Sequence, residues 1–209
     1  EEQTGGRGRR GRGFQSTRGK GLYLSALFRP DLEPGQVSDF TAWVAVAVCD
    51  GIEAACGLRP RIKWTNDIYV GDRKICGILL EHSLEGSHLV RTIAGIGLNI
   101  NQERFPEWIA NPCSLLTETG VRHETTAVFE RLYARLAERY GTLESGGARQ
   151  ISDDYNALLY RRGKPARFFL PDRGEVIGTI CGAAPDGRLT VAIDGQERSF
   201  LFREIEFII

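Results

Sequence analysis

Four short β-type segments follow one another in the first half of this 209-residue chain, and they limit its possible folds more than any other feature. They are joined by short turns that contain asparagine, aspartate or glycine. Connections this short favour antiparallel pairing between consecutive strands. The sequence therefore predicts an antiparallel central sheet with strands at 61–64, 67–70, 74–83 and 88–100.

Helical spacing of apolar residues is clearest between Ser38 and Cys56, where Ser38 is the predicted N-cap and Gly57 the C-terminal stop. This helix is expected to be largely buried. From Gly163 onward the pattern changes to short alternating runs broken by turns, which is typical of a small β-barrel. The other predicted elements are a strand at 22–28 and helices at 126–140 and 151–160. We predict two domains, 1–162 and 163–209.

The overall charge is balanced, with 27 basic and 27 acidic residues, and gives no reason to expect nucleic acid or a membrane as partner. Five cysteines without a C-x-x-C pair and three scattered histidines argue against structural zinc, and Cys49 and Cys56 are expected to be buried and unpaired. No signal segment is recognisable, so the expected location is the cytoplasm. The chain contains no methionine, so we expect its natural N-terminus to lie further upstream.

A Gly/Arg segment opens the chain, and residues 7–20 hold six basic residues and no acidic one. Glycines expose backbone N–H groups to a close ligand, and arginines offer forked donors to carboxylate or phosphate. Gly/Arg repeats also occur in disordered RNA-binding segments. The immediate continuation into an apolar strand favours the anion-binding interpretation.

Two further motifs carry polar residues at the ends of predicted strands. In the first, a tight turn joins Lys63–Val70 to Asp72–Glu81 and is expected to bring Asp67 near Lys74, while Gly77 permits close approach of a ligand. A surface hairpin with an ion pair would have the same pattern. The second motif, Ala94–Asn101, is a glycine-containing strand end that by itself fits a β-bulge better than a site.

In this order the three motifs closely resemble the biotin protein ligase family, which has a GRGRRGR loop, a KWPND segment with a following K-x-x-G-I-L, and a G-x-G-x-N strand. The resemblance is specific from Gln3 to Asn101 and looser as far as Ile209. It implies an α+β fold: a mixed β-sheet like that of class II aminoacyl-tRNA synthetases with helices on one side, and a small C-terminal β-barrel of the Src-homology-3 type.

The resemblance also implies a set of site residues. The biotin-binding residues would be Gln3, Gly6, Arg7, Gly8, Arg9, Lys74, Gly77 and Gly95. The residues in contact with ATP or the adenylate would be Arg9, Arg10, Arg12, Phe14, Lys74 and Asn99. The catalytic residues would be Lys74, which contacts the biotin carboxylate and the α-phosphate, Asp67 beside the reacting centre, and Arg9 in the loop that closes over the adenylate. No metal site is formed by protein alone, and Mg²⁺ arrives with ATP.

The implied reaction joins biotin to AMP with release of pyrophosphate and then transfers biotin to a lysine of a biotin carboxyl carrier protein, as in acetyl-CoA carboxylase. A homodimer is possible, and DNA would be a partner only if another domain precedes residue 1. The chain departs from the family pattern at Thr65, which replaces proline, and at Phe14, which replaces tryptophan. The family's upstream Ser-Thr-Asn segment, which hydrogen-bonds biotin, is not part of this sequence.

Three alternatives remain at this stage. A lipoate-protein ligase-like acyl-adenylate transferase would share the fold and reaction type, but it lacks the combination of GRGRRGR and KWxNDI. A non-enzymatic RNA-binding protein would use only the Gly/Arg segment. An inactive scaffold is disfavoured because every charged residue that the chemistry needs is present.

Overall fold

Two five-stranded sheets define the architecture of the computed structural model, which describes residues 18–29, 37–85 and 88–209. The α+β class predicted above is confirmed. In chain order the elements are β1 (Gly21–Phe28), α1 (Val37–Cys56), β2 (Arg61–Lys63), β3 (Asp67–Val70), β4 (Arg73–Glu85), β5 (His88–Asn99), α2 (Leu115–Thr119), α3 (Thr125–Glu144), α4 (Ala148–Leu158), β6 (Pro165–Leu170), β7 (Gly174–Ala183), β8 (Leu189–Ile193), β9 (Gln196–Phe200) and β10 (Glu206–Ile208).

The first sheet has the strand order β1-β5-β4-β3-β2, and each neighbouring pair of strands is antiparallel. The short turns therefore predicted the pairing correctly. The resemblance implied a mixed sheet, and within the described residues the parallel contacts that involve this sheet are the isolated bridges Ile62 to Leu159 and Lys74 to Pro112.

The two faces of this sheet differ, as β5 shows most clearly. Its residues Thr92, Ala94, Ile96 and Leu98 are buried, and the residues between them lie on the opposite, more open face. Helix α1 packs on the buried face, against β2, β3 and β4. A strand that alternates in this way places every second residue on the face away from the helices, where a ligand has room to bind.

Helix α1 is buried almost all round because the sheet covers one side and α3 and α4 cover the other. A Cβ at Gly51 would lie 2.9 Å from the backbone of Leu132, so glycine is needed where α1 and α3 approach. The helix ends at Gly57, whose positive φ of 73° and N–H bond to Glu53 confirm the predicted stop. Val37 already belongs to the helix, so Ser38 lies inside it and the prediction of Ser38 as N-cap was wrong.

An ion-pair network ties the three long helices together. The guanidinium of Arg139 on α3 lies 2.7 Å from Asp50 on α1 and 2.5 Å from Asp154 on α4, and only 20% of its side-chain surface is exposed. Replacing Arg139 with methionine would leave two carboxylates without their cation. We expect the free energy of unfolding to fall by about 2 kcal/mol, less than for a fully buried network.

Urea unfolding measures this loss, and Arg135→Met is the matched control. Arg135 lies on the same helix but forms an exposed pair with Glu138, which should contribute little to stability. Equal destabilisation by the two substitutions would contradict a bridging role for Arg139.

The second sheet has the order β10-β6-β7-β8-β9, and short turns join its strands, as the alternating pattern after Gly163 predicted. Its buried residues, among them Phe168, Ile180 and Val191, continue the hydrophobic core of the first sheet. A direct link between the two parts is the indole N–H of Trp64, which donates to the carbonyl oxygen of Gly187 at 3.1 Å. The C-terminal segment is therefore packed beside the KWTND segment.

Two differences from the predicted elements concern the region after β5. Helix α2 is not among the predicted elements. It forms because Ser114 caps it through a reciprocal bond with Thr117, and it ends at Gly120 with a positive φ of 72°. Helix α4 begins at Ala148, three residues before the predicted start. Among the helices in the described part of the chain, none has the length and apolar character needed to cross a membrane.

The five cysteines are all free, but they differ in exposure. Cys49 is buried, as predicted, and burial raises the pKa of its thiol well above the usual value. Cys56 was also predicted to be buried, but it is only half-buried because it is the last residue of α1.

We expect a thiol reagent to label Cys56 in native protein and Cys49 only on unfolding, as measured by mass spectrometry of labelled peptides. Simultaneous labelling would contradict this.

Candidate active site

The open face of the first sheet carries a row of residues with little or no side chain. In the register of the strands Asp67 faces Gly77, Gly77 faces Gly97, and Gly97 faces Tyr23. Gly95 follows in the next row, opposite Leu79 and Ser25. We call the surface formed by Gly77, Gly95 and Gly97 the glycine face. The register is regular through these positions of β5, so the alternative of a β-bulge at this strand end is wrong.

Lys74 reaches the same face because of an irregularity between β3 and β4. Asp67 pairs with Gly77 and Tyr69 pairs with Lys74, so β4 has one residue more than β3 between these two pairs. In a regular strand Lys74 and Gly77, three positions apart, would point to opposite faces. The extra residue restores them to the same face, which is how bulges commonly redirect a side chain beside a site.

The ammonium group of Lys74 lies 2.6 Å from the Oδ1 atom of Asp67, which confirms that the hairpin brings these residues together. About a third of each side chain is exposed, 33% for Lys74 and 31% for Asp67. A Cβ at Gly77 would lie 3.5 Å from the Nζ of Lys74 and 3.9 Å from Oδ1 of Asp67. The charged pair therefore borders the glycine face and is accessible to a ligand from solvent.

A loop at residues 111–114 holds Lys74 and Asn99 in place. The backbone N–H of Lys74 donates to the carbonyl oxygen of Asn111 at 2.7 Å, and that of Cys113 donates back to Lys74 at 2.8 Å. The side-chain amide of Asn99 donates to the carbonyl oxygen of Cys113 at 2.9 Å. Two residues implied for the site are thus fixed by one loop, which lies outside the three motifs.

The neighbouring thiols are poor nucleophiles. Burial is the main reason why the pKa of Cys76 is raised to about 12, and that of Cys113 also to about 12. Both groups remain protonated at neutral pH, so covalent chemistry at cysteine is disfavoured at this face. Among the described residues, the charged groups at this face include Lys74, Asp67 and a second lysine, Lys63, which is paired with Asp67 across β2 and β3.

The implied site residues fall into two groups. On one face of the sheet the structure brings together Asp67, Lys74, Gly77, Gly95 and Asn99. The others lie outside the described residues: Gln3, Gly6, Arg7, Gly8, Arg9, Arg10, Arg12 and Phe14. Sequence reasoning missed two contributions, the 111–114 loop and Lys63. Lys63 is the first residue of the KWTND segment, so the sequence already places a second lysine close to Asp67.

A separate cavity of about 270 Å³ lies on the other side of β4, among α1, α4 and the segment from Ala183 to Gly187. Its described lining includes Thr65, Asn66 and His82 and none of the five residues that the structure brings together on the glycine face. The lysine, the carboxylate and the glycines lie on the other surface, which is more open and is the better candidate for chemistry.

Comparison with known proteins agrees with these motifs. Residues 1–99 match the model of the biotin/lipoate A/B protein ligase family. Over 143 residues the chain is 36% identical to the bifunctional ligase/repressor BirA of Bacillus spizizenii, which covers 67% of this chain and 44% of the relative. It is 29% identical over 201 residues to the biotin--[acetyl-CoA-carboxylase] ligase of Mycobacterium tuberculosis, covering 94% and 73% of the two chains.

Among solved structures, a biotin protein ligase from Aquifex aeolicus in complex with biotin and ATP superposes with a TM-score of 0.81 at 26% identity, and the match covers 98% of this chain and 85% of the other. The chain spans less than half the length of the Bacillus relative. The family model, the relatives and the solved structure agree with one another, and the chain belongs to the biotin protein ligase family.

Proposed function

We propose that this chain is the catalytic part of a biotin protein ligase, which uses ATP to convert biotin to biotinyl-AMP and transfers biotin to a lysine of a carrier protein. The observation that carries the proposal is the Lys74–Asp67 pair at the border of the glycine face. The family match supports it, as does the similarity to the Aquifex enzyme in complex with biotin and ATP.

In the first step a carboxylate oxygen of biotin attacks the α-phosphorus of ATP, an acyl-phosphate bond forms, and pyrophosphate leaves. Both reactants are anions, so the step needs positive charge and accurate placement more than a protein nucleophile. We assign to Lys74 the task of holding the carboxylate and the α-phosphate together. The glycine face, including Gly77 and Gly95, lets the ligand lie close to the backbone, and Asn99 contacts the adenylate.

Residues of the Gly/Arg segment complete this site in the proposal. Arg9 acts with Lys74 on the charge of the phosphoryl oxygens. The biotin pocket is completed by Gln3, Gly6, Arg7 and Gly8, and the adenylate side by Arg10, Arg12 and Phe14. Folded over the intermediate, such a segment would exclude water and slow hydrolysis of the acyl-adenylate.

In the second step the neutral amine of the acceptor lysine attacks the acyl carbon, AMP leaves, and the amine loses a proton. Asp67 could orient or deprotonate that amine, or it could hold Lys74. The ion pair at 2.6 Å supports the holding role, because the Oδ1 atom of Asp67 is already engaged by the Lys74 ammonium group.

Magnesium enters this proposal as part of the nucleotide. The described residues contain no cluster of three metal-ligating side chains, and Mg²⁺ in nucleotide sites is commonly held by phosphates and water with few protein ligands.

The acceptor we propose is a biotin carboxyl carrier protein or domain, and the expected location is the cytoplasm. We retain 1–162 and 163–209 as the proposed domains, a homodimer as a possible assembly, and DNA as a partner only with a further N-terminal domain.

The test is incubation of the chain with radiolabelled ATP and biotin, followed by separation of labelled biotinyl-AMP. Lipoate and octanoate in place of biotin distinguish the lipoate-ligase alternative, and an RNA-binding assay tests the Gly/Arg alternative. Biotin-dependent adenylate formation, with little product from lipoate, is the expected result. Equal use of lipoate, or RNA binding without adenylate formation, would contradict the proposal.

A further inference from the structure

Asp67 has lysines on both neighbouring strands. Lys74 approaches it from β4 as an ion pair, and Lys63 is its direct register partner on β2. Paired residues on adjacent strands project from the same face of a sheet. The charge of Lys63 is attracted by Asp67 and repelled by Lys74, so the three groups form one electrostatic unit. The mechanism proposed above uses Asp67 and Lys74 but gives Lys63 no task.

Aromatic rings from two sheets hold the Lys63 ammonium group. Its Nζ atom lies 5.6 Å from the ring centre of Tyr69 on β3 and 5.2 Å from that of Phe207 on β10. The ring of Tyr160 packs against both, at 5.4 Å and 6.3 Å. Ring faces stabilise a cation without fixing the direction of its N–H groups. The ammonium is therefore kept near Asp67 while its donors can still reorient.

We propose that Lys63 is a positioning residue, which takes over the Asp67 carboxylate when Lys74 moves to the ligand phosphate, and that the second sheet keeps Lys63 available through Phe207. This inference rests on the proposed function. A partly desolvated carboxylate that loses its counter-ion is costly, and without Lys63 it would draw Lys74 back. With Lys63 present, Asp67 stays paired while Lys74 contacts the anion.

The proposal predicts a dependence on pH. In the described part of the chain, the charged and titratable groups that face Lys63 are Asp67 and Tyr69 from β3, Lys74 from β4 and Glu206 from β10. Burial lowers the pKa of Lys63, Asp67 and Glu206 oppose that change, and Lys74 adds to it. Lys63 thus loses its charge at a lower pH than an ordinary lysine. Activity that needs this charge should decline at alkaline pH, and arginine, which stays charged, should move the decline to higher pH.

The experiment measures biotinyl-AMP formation by Lys63→Met and Lys63→Arg variants of the full chain across the pH range. Lys63→Met is expected to lower kcat by about tenfold with an unchanged melting temperature. Lys63→Arg should restore most of kcat and move the alkaline limb upward. Arg198→Met is the matched control, because it removes a cation held 5.1 Å from the ring centre of Phe200 in the same second sheet, with wild-type activity expected.

Lysine side-chain NMR supplies a readout that is independent of activity. In Phe207→Leu one ring face that stabilises the charged ammonium is lost while the surroundings stay apolar, so the pKa of Lys63 should fall further below the ordinary lysine value. A wild-type kcat in Lys63→Met, an unmoved alkaline limb in Lys63→Arg, or an unchanged Lys63 titration in Phe207→Leu would each overturn the proposal. If the wild-type chain forms no biotinyl-AMP, the proposed function fails instead, and the NMR titration still decides whether the second sheet holds Lys63.

Discussion

Replacing Lys74 with alanine is expected to lower the rate of biotinyl-AMP formation by about a thousandfold, the upper range for loss of one positioned donor to a developing negative charge. The biotin carboxylate and the α-phosphate of ATP, both anions, must come together in the first step. Lys74 places a positive charge at the border of the glycine face, where they would meet. Its side chain is one-third exposed, so truncation removes little packing. The melting temperature should therefore change by no more than a few degrees.

The measurement is a single-turnover assay of adenylate formation, with Lys164→Ala as control because Lys164 is an exposed lysine at the start of the second sheet. Asp67→Asn, alone and combined with Lys74→Ala, separates the two roles left open for Asp67. If Asp67 only holds Lys74, its substitution has no further effect on transfer from added biotinyl-AMP to an acceptor lysine once Lys74 is gone, whereas a role toward the acceptor amine lowers that transfer in the double variant as well. A Lys74→Ala enzyme with wild-type rates would refute the assignment of Lys74.

The proximity of Asp67 and Lys74 could be predicted because it is local. The two strands that carry them are joined by one tight turn, and a tight turn largely determines which residues of the two strands lie close together. The side on which Lys74 projects was harder to derive. It depends on one extra residue in β4, between the residue pairs Asp67–Gly77 and Tyr69–Lys74. No glycine or proline stands between Lys74 and Gly77 to signal that irregularity in the sequence.

The 111–114 loop could not be predicted for a different reason. Its bonds to Lys74 are made by backbone atoms of Asn111 and Cys113, nearly forty positions along the chain, and backbone groups carry no residue-specific signal. The Phe207–Lys63 contact is also remote in sequence. Apolar alternation predicted that the second sheet exists, but it gives no information on which ring of that sheet faces the first.

The face of the first sheet that binds ligand can be tested directly at Gly77. A Cβ there would make ordinary contacts of 3.5 Å with Lys74, so alanine fits the unliganded fold. It would nevertheless occupy the space beside the ammonium that the biotin carboxylate must enter. We expect the biotin KM to rise about tenfold in Gly77→Ala and about a hundredfold in Gly77→Val, because each added methyl group excludes the ligand further.

Thermal unfolding of the same variants separates exclusion of the ligand from damage to the fold. Valine is favourable in a strand, so the melting temperature of Gly77→Val should stay close to that of the wild type. Gly141→Ala on α3 is the control, since the added methyl group has no described atom within 4 Å apart from its chain neighbours and the adjacent helix backbone, and alanine is the better helix former. If Gly77→Val keeps the wild-type KM for biotin while Lys74→Ala is inactive, biotin does not lie over Gly77. The carboxylate then reaches Lys74 from the side of the 111–114 loop instead.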